Sequence, residues 1–171
     1  MTPLRIGIIM ALAWLLAAVG LTLGAEVDEH RLYHIERNKN ANIVVYSAQV
    51  LENGDLHQDD PVIVFWLKLA EGGHRKDLKG IERRLAYGFK VESREGNRVV
   101  LDMKADVGRD VIVDRHEDGY GAFIEIQGQQ ALLDHIFIFA NEGWGLPKVE
   151  YLELFGTDLE TGEEVYEKLI P

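Results

Sequence analysis

Residues 60–69 read DPVIVFWLKL, and the reading of this stretch decides the fold class. Val62, Ile63 and Val64 are β-branched, and Phe65 and Trp66 are aromatics that fit a pleated surface. Pro61 stands at the start, where a strand tolerates it. Apolar and polar residues do not alternate, as they would in a strand with one face in water. Residues 136–140, IFIFA, share this property. Both runs therefore read as strands covered on both faces.

Outward from this run, period-2 and β-rich segments continue in both directions. Tyr33 and Ile35 alternate with Leu32 and His34, and Ile43 to Val50 is β-branched and aromatic throughout. Further strands are predicted at 89–94, 97–104, 110–115, 121–127, 132–140, 148–155 and 164–169. Turn residues separate them: Asn53-Gly54, Glu95-Gly96-Asn97, Glu117-Asp118-Gly119, Gly128, Gly143-Trp144-Gly145, and Asp158 to Gly162. Roughly 8–10 short strands at this spacing predict an all-β, mainly antiparallel barrel or sandwich. One segment departs from the pattern. In DLKGIERRLAYG, residues 77–88, Leu78, Ile81 and Leu85 recur at helical spacing. An amphipathic helix is predicted near 77–87, with Asp77 capping its start and Gly88 ending it in the left-handed conformation. Gly80 inside it costs about 1 kcal/mol against Ala, so the helix needs a surface beneath it. That helix, or a partner subunit in a homo-oligomer, is expected to cover the outer face of the doubly apolar strands.

The first 25 residues stand apart. Arg5 is followed by an uncharged run from Ile6 to Leu23, and the small residues Gly24 and Ala25 precede the acidic stretch from Glu26. That order predicts a secretory signal peptide. A retained N-terminal anchor is the alternative, since ~18–20 apolar residues span a bilayer. Residues 26–171 show no linker and no fixed-period repeat, and suit a single β-rich domain. They carry 17 Lys and Arg against 29 Asp and Glu, a net charge of −12. That excess disfavours nucleic acid, which demands a basic surface. Without cysteine there is no disulfide, no thiol chemistry and no cysteine metal site. The protein is expected to be periplasmic or secreted, touching membrane only through the leader if that is not cleaved.

Most catalytic chemistries find no support. Ser47 and Ser93 lie inside predicted strands, Thr157 and Thr161 in a turn, and no Gly-x-Ser-x-Gly elbow exists. Asn53, Asp55, His57, Asp59 and Asp60 resemble the start of a calcium loop. However, the glycine follows the first position and no glutamate stands at the twelfth, so an acidic solvated loop is the better reading. Glu150 and Glu153 fall on opposite faces of one strand and do not read as a glycosidase pair. No catalytic residue, metal or cofactor is assigned. His74, Arg75, Lys76, Lys79, Arg83 and Arg84 form a basic stretch in an acidic chain. It suits anionic headgroups or a phosphate-bearing partner. The plainer reading is a solvated helix face pairing loosely with Glu160, Glu163, Glu164 and Glu167, at about 0–1 kcal/mol per pair.

The remaining concentration of polar chemistry is HIERNKNANIVVY, residues 34–46. Turn formation explains Asn38, Asn40 and Asn42, because Asn tolerates the left-handed region and bonds its own backbone. It does not explain His34, Glu36, Arg37 and Lys39. In a barrel or cleft, a few convergent polar groups of this kind bind a ligand. The candidate binding set is therefore His34, Glu36, Arg37, Lys39, Asn40 and Asn42. In it Arg37 and Lys39 hold an anionic group, His34, Asn40 and Asn42 supply hydrogen bonds, and Glu36 orients them.

HIERNKNANIVVY, DPVIVFWLKL, IERRLAYGF and VEYLELFGTDLETGEEVYEKL together resemble an uncharacterised family of exported bacterial proteins, known only as a domain of unknown function. The resemblance covers most of residues 26–171 and implies an exported bacterial domain. It transfers no site. A lipocalin is not matched, since Trp66 and Trp144 lie outside any first-strand Gly-x-Trp. The expected function is non-enzymatic binding of a small or extended, partly apolar, anionic ligand in the periplasm or envelope. The alternatives are an enzyme using His34 and Glu36 as general acid and base, and an envelope protein–protein interaction module.

Overall fold

A computed structural model describes residues 30–105, 107–117, 119–141 and 148–171. The predicted leader and Gly143-Trp144-Gly145 lie outside the described residues. Among the described residues, eleven strands run β1 (Arg31–Arg37), β2 (Asn40–Ala48), β3 (Val62–Lys68), β4 (His74–Asp77), β5 (Phe89–Glu95), β6 (Arg98–Met103), β7 (Val111–His116), β8 (Gly119–Ile126), β9 (Gln129–Asn141), β10 (Lys148–Asp158) and β11 (Glu164–Leu169). The fold is the β-rich domain that the apolar runs predict. One curled sheet, a half-barrel, carries the order β4-β3-β2-β1-β9-β8-β7-β6-β5, with β10 and β11 added beside β9.

The branch at β9 shapes the molecule. Residues 129–132 pair antiparallel with β8, whereas His135 to Ile138 pair with β1 in parallel. β10 follows the other edge of β9 through both halves. β9 thus exchanges one neighbour for another near Leu133, and β10 answers with a register shift between Phe155 and Gly156. Gly156 is required there: a Cβ would lie 2.6 Å from the Leu132 carbonyl oxygen. The bulge and the bend let the two wings curl toward each other.

The concave face holds the core. Ile35, Val44, Tyr46, Val64, Leu101, Val113, Ile124, Ile136 and Leu154 belong to a single buried cluster that links both wings. Tyr33 and Tyr46 stack at 4.4 Å between ring centroids. Their hydroxyls donate to Met103 Sδ at 3.3 Å and to the Tyr87 carbonyl at 2.7 Å. A smaller cluster of Ile43, Val45 and Phe65 lies on the outer face of β2 and β3.

The helix departs from expectation. α1 spans Gly80–Glu82 and continues as one π-helical turn over Arg83–Tyr87. Asp77 does not cap it, because His74–Asp77 are spent on β4; Lys79 is the N-cap residue, and its N–H donates to Glu82 Oε2 at 2.7 Å. Gly88 ends the segment in extended backbone (φ −77°), not in the left-handed region. Its lack of a side chain matters for another reason: a Cβ would sit 2.0 Å from the Arg83 carbonyl oxygen. Nor does the segment cover the outer face of β3 and β9. Leu78 and Tyr87 enter the concave core, and Tyr87 meets the Trp66 ring edge-on at 5.3 Å. Ile81 and Leu85 are 57% and 51% exposed. The outer face of β3 is instead shielded by β4, whose Arg75 guanidinium lies 3.9 Å from the centre of the Phe65 ring. A basic edge strand has no hydrophobic signature, which is why β4 is not legible as one.

Candidate functional site

The helical turn does not fill the concave face. Between it and the sheet lies a cavity of about 540 Å³, within the ~300–1,000 Å³ typical of small-molecule sites. Trp66, Ile81, Leu85, Ala86, Tyr87, Ile138, Val149 and Leu152 form its apolar walls. Arg37, Asn40, Glu82 and Lys104 are its polar groups. Tyr87 is fixed from two sides, because Tyr46 holds its carbonyl and Trp66 packs against its ring.

Two members of the sequence-derived cluster reach this cavity. Arg37 ends β1 pointing inward, and its Nη1 donates to the Tyr87 hydroxyl at 3.5 Å. Among the described residues no carboxylate pairs with that guanidinium. Asn40 begins β2 and lines the rim, with its Oδ1 accepting the Asn42 N–H at 3.0 Å. Lys39 does not join Arg37. It occupies the hairpin turn with φ 60° and is exposed. The left-handed position thus belongs to Lys39 rather than to an asparagine. Asn42 Oδ1 accepts the Ala70 N–H at 3.3 Å and anchors the turn after β3. The role of Asn38 is structural. Its side chain accepts from the Ala140 N–H at 2.9 Å and donates to the Ala140 carbonyl at 3.1 Å, extending the β1–β9 pairing.

His34 and Glu36 lie on the opposite, convex face. His34 Nε2 is 3.1 Å from Glu36 Oε1, and its ring stacks on His135 at 5.3 Å across the parallel β1–β9 pair. His135 is itself held by Asp134 at 2.8 Å and stacked on Phe155 at 4.3 Å. With Nε2 engaged by the carboxylate, Nδ1 is buried and has no hydrogen-bond partner among the described residues. Protonation would bury an unpaired N–H. Burial accordingly lowers the His34 pKa from 6.5 more than the Glu36 carboxylate can raise it.

The acidic loop is internally bound. Asp55 receives Asn97 Nδ2 at 2.7 Å, Asn53 Nδ2 at 2.9 Å and Arg115 Nη2 at 3.1 Å. Among the described residues no group of three or more His, Cys, Asp or Glu is placed to hold a metal ion. Sequence reasoning missed Trp66, Tyr87 and Lys104 as cavity residues. Trp66 reads only as strand and Tyr87 only as helix, and their meeting depends on the fold.

A family model described as a domain of unknown function, DUF4833, matches residues 33–168. The chain belongs to this family. The match takes in every strand from β2 to β10 and all the described cavity-lining residues except Pro171. Comparison with curated proteins and with solved structures gave no match.

Proposed function

We propose that this protein is an exported, non-enzymatic binding module whose concave cavity takes a small or extended, partly apolar molecule bearing an anionic group. The observation that carries the reading is Arg37: a guanidinium without a carboxylate partner among the described residues, set in a mainly apolar cavity of about 540 Å³. A ligand anion would gain a charge-assisted hydrogen bond there, worth about 1.5–3 kcal/mol. Lys104 adds a second cation to the same cavity, while Trp66, Ile138 and Leu152 offer surface to an apolar body at about 25 cal/mol per Å² buried. The Tyr87 hydroxyl positions Arg37, a part that Glu36 on the far face does not play.

A fluorescent long-chain fatty acid and its neutral methyl ester test the reading. The acid is expected to bind more tightly than the ester. Arg37→Gln should weaken the acid by at least about tenfold and leave the ester unchanged. Equal affinity of acid and ester, or an Arg37→Gln variant with full affinity for the acid, would overturn it.

A further inference from the structure

The basic stretch takes on a different meaning once its surroundings are in view. Residues 74–84 hold Arg75, Lys76, Lys79, Arg83 and Arg84 against Asp77 and Glu82, a local charge of +3 where the rest of residues 26–171 carries −15. All five cations are exposed, and among the described residues none forms an ion pair. Among the described residues no glutamate of the acid-rich C-terminal segment pairs with them, and Glu167 is taken by Arg109 in a two-pronged pair at 2.7 and 2.8 Å. Cations on the edge strand β4 also discourage edge-to-edge pairing. Edge protection accounts for Arg75 and Lys76 but not for Lys79, Arg83 and Arg84, which lie beyond the strand. Beside those three, Ile81 and Leu85 stand more than half exposed on the helical turn. Both also line the cavity.

We infer that the surface from His74 to Leu85 docks this protein on a bilayer with anionic headgroups, with the cavity opening beside the contact. Exposed aliphatic side chains flanked by Lys and Arg are the composition of segments that lie in a membrane interface. Each cation near an anionic surface favours attachment, and the contribution fades within a Debye length. The apolar pair selects the bilayer over a soluble polyanion, which offers Ile81 and Leu85 nothing to enter. The strong negative charge elsewhere repels the same surface and orients the molecule with this corner down. Docking stands on these residues alone. Transfer of a lipid anion from the bilayer into the cavity rests on the binding reading given above.

Flotation of the protein isolated from the envelope fraction tests this, with vesicles of pure phosphatidylcholine and of equimolar phosphatidylcholine and phosphatidylglycerol. The protein should float with the mixed vesicles and not with the neutral ones, and high salt should release it. The double variant Arg83→Glu/Arg84→Glu should lower partitioning by about tenfold or more, while its affinity for the fluorescent fatty acid in vesicle-free solution stays unchanged. Ile81→Ser/Leu85→Ser should weaken partitioning without abolishing the salt dependence. No flotation, equal flotation with both vesicle types, or salt-sensitive flotation that the arginine variant retains would each overturn the docking surface. The vesicle-free affinity decides the cavity separately, so either reading can fail while the other stands.

Discussion

At the scale of single residues, Arg37 and His34 show how one strand serves two faces. They are three positions apart, yet Arg37 faces the cavity and His34 the convex surface; the register shift between Ile35 and Arg37 lies between them. The sequence places both in one polar cluster, but period-2 alternation separates them. His34 has a consequence of its own. Its folded pKa lies below 6.5, so the unfolded chain binds the proton more readily. The stability this neutral His contributes is present above about pH 6.5 and falls as the pH drops below it. His34→Gln, which cannot titrate, should therefore flatten the decline in melting temperature between pH ~7 and pH ~5. An unchanged slope would show that His34 is protonated in the fold at no cost.

At the scale of elements, the two apolar faces of β3 are legible in DPVIVFWLKL, and the cover is not. The inner face meets the main core and Tyr87, and the outer face meets β4, whose four residues are all charged or titratable. Hydrophobic periodicity reveals strands that bury apolar side chains. It is blind to an edge strand that shields a ring with a guanidinium. The helix illustrates the converse: three aliphatic residues at helical spacing predict a docked face, but only Leu78 is buried, at 7% exposed. Leu78→Ala should accordingly cost about 2–5 kcal/mol, and Ile81→Ala under about 0.5 kcal/mol, by chemical denaturation. Similar costs for both would mean that the turn packs more deeply than its exposure indicates. β11 carries another test. Glu167 accepts two bonds from Arg109 and one from the Gln127 N–H, and these hold its pKa down at about 2 against an ordinary 4.5. A carboxylate with a depressed pKa contributes stability above about pH 4.5 that is lost as the pH falls toward about 2. Glu167→Gln should lower the melting temperature at neutral pH and shrink its fall over that acid range. Parallel curves for the two proteins would remove the pair from the stability of the β10–β11 hairpin.

At the scale of the whole molecule, the all-β class and every strand but the basic edge strand β4 follow from local signals, while the cavity follows from topology. Parallel pairing of β1 with β9 joins segments about a hundred residues apart, and nothing local announces it. That pairing brings Arg37 beside Ile138, and the helical turn then roofs the space between them. Part of the candidate set is thus readable as residue chemistry, in Arg37 and Asn40. The aromatic partners Trp66 and Tyr87 become partners only when the sheet curls. Native mass spectrometry of the protein purified gently from its source cells tests the proposed capture of an anion by Arg37. The wild type should carry a bound anionic, partly apolar molecule, released by denaturation and missing from Arg37→Gln purified in parallel. A wild-type protein that carries no ligand and takes up none when offered an envelope lipid extract, or an Arg37→Gln variant that retains the same molecule in full, would contradict it.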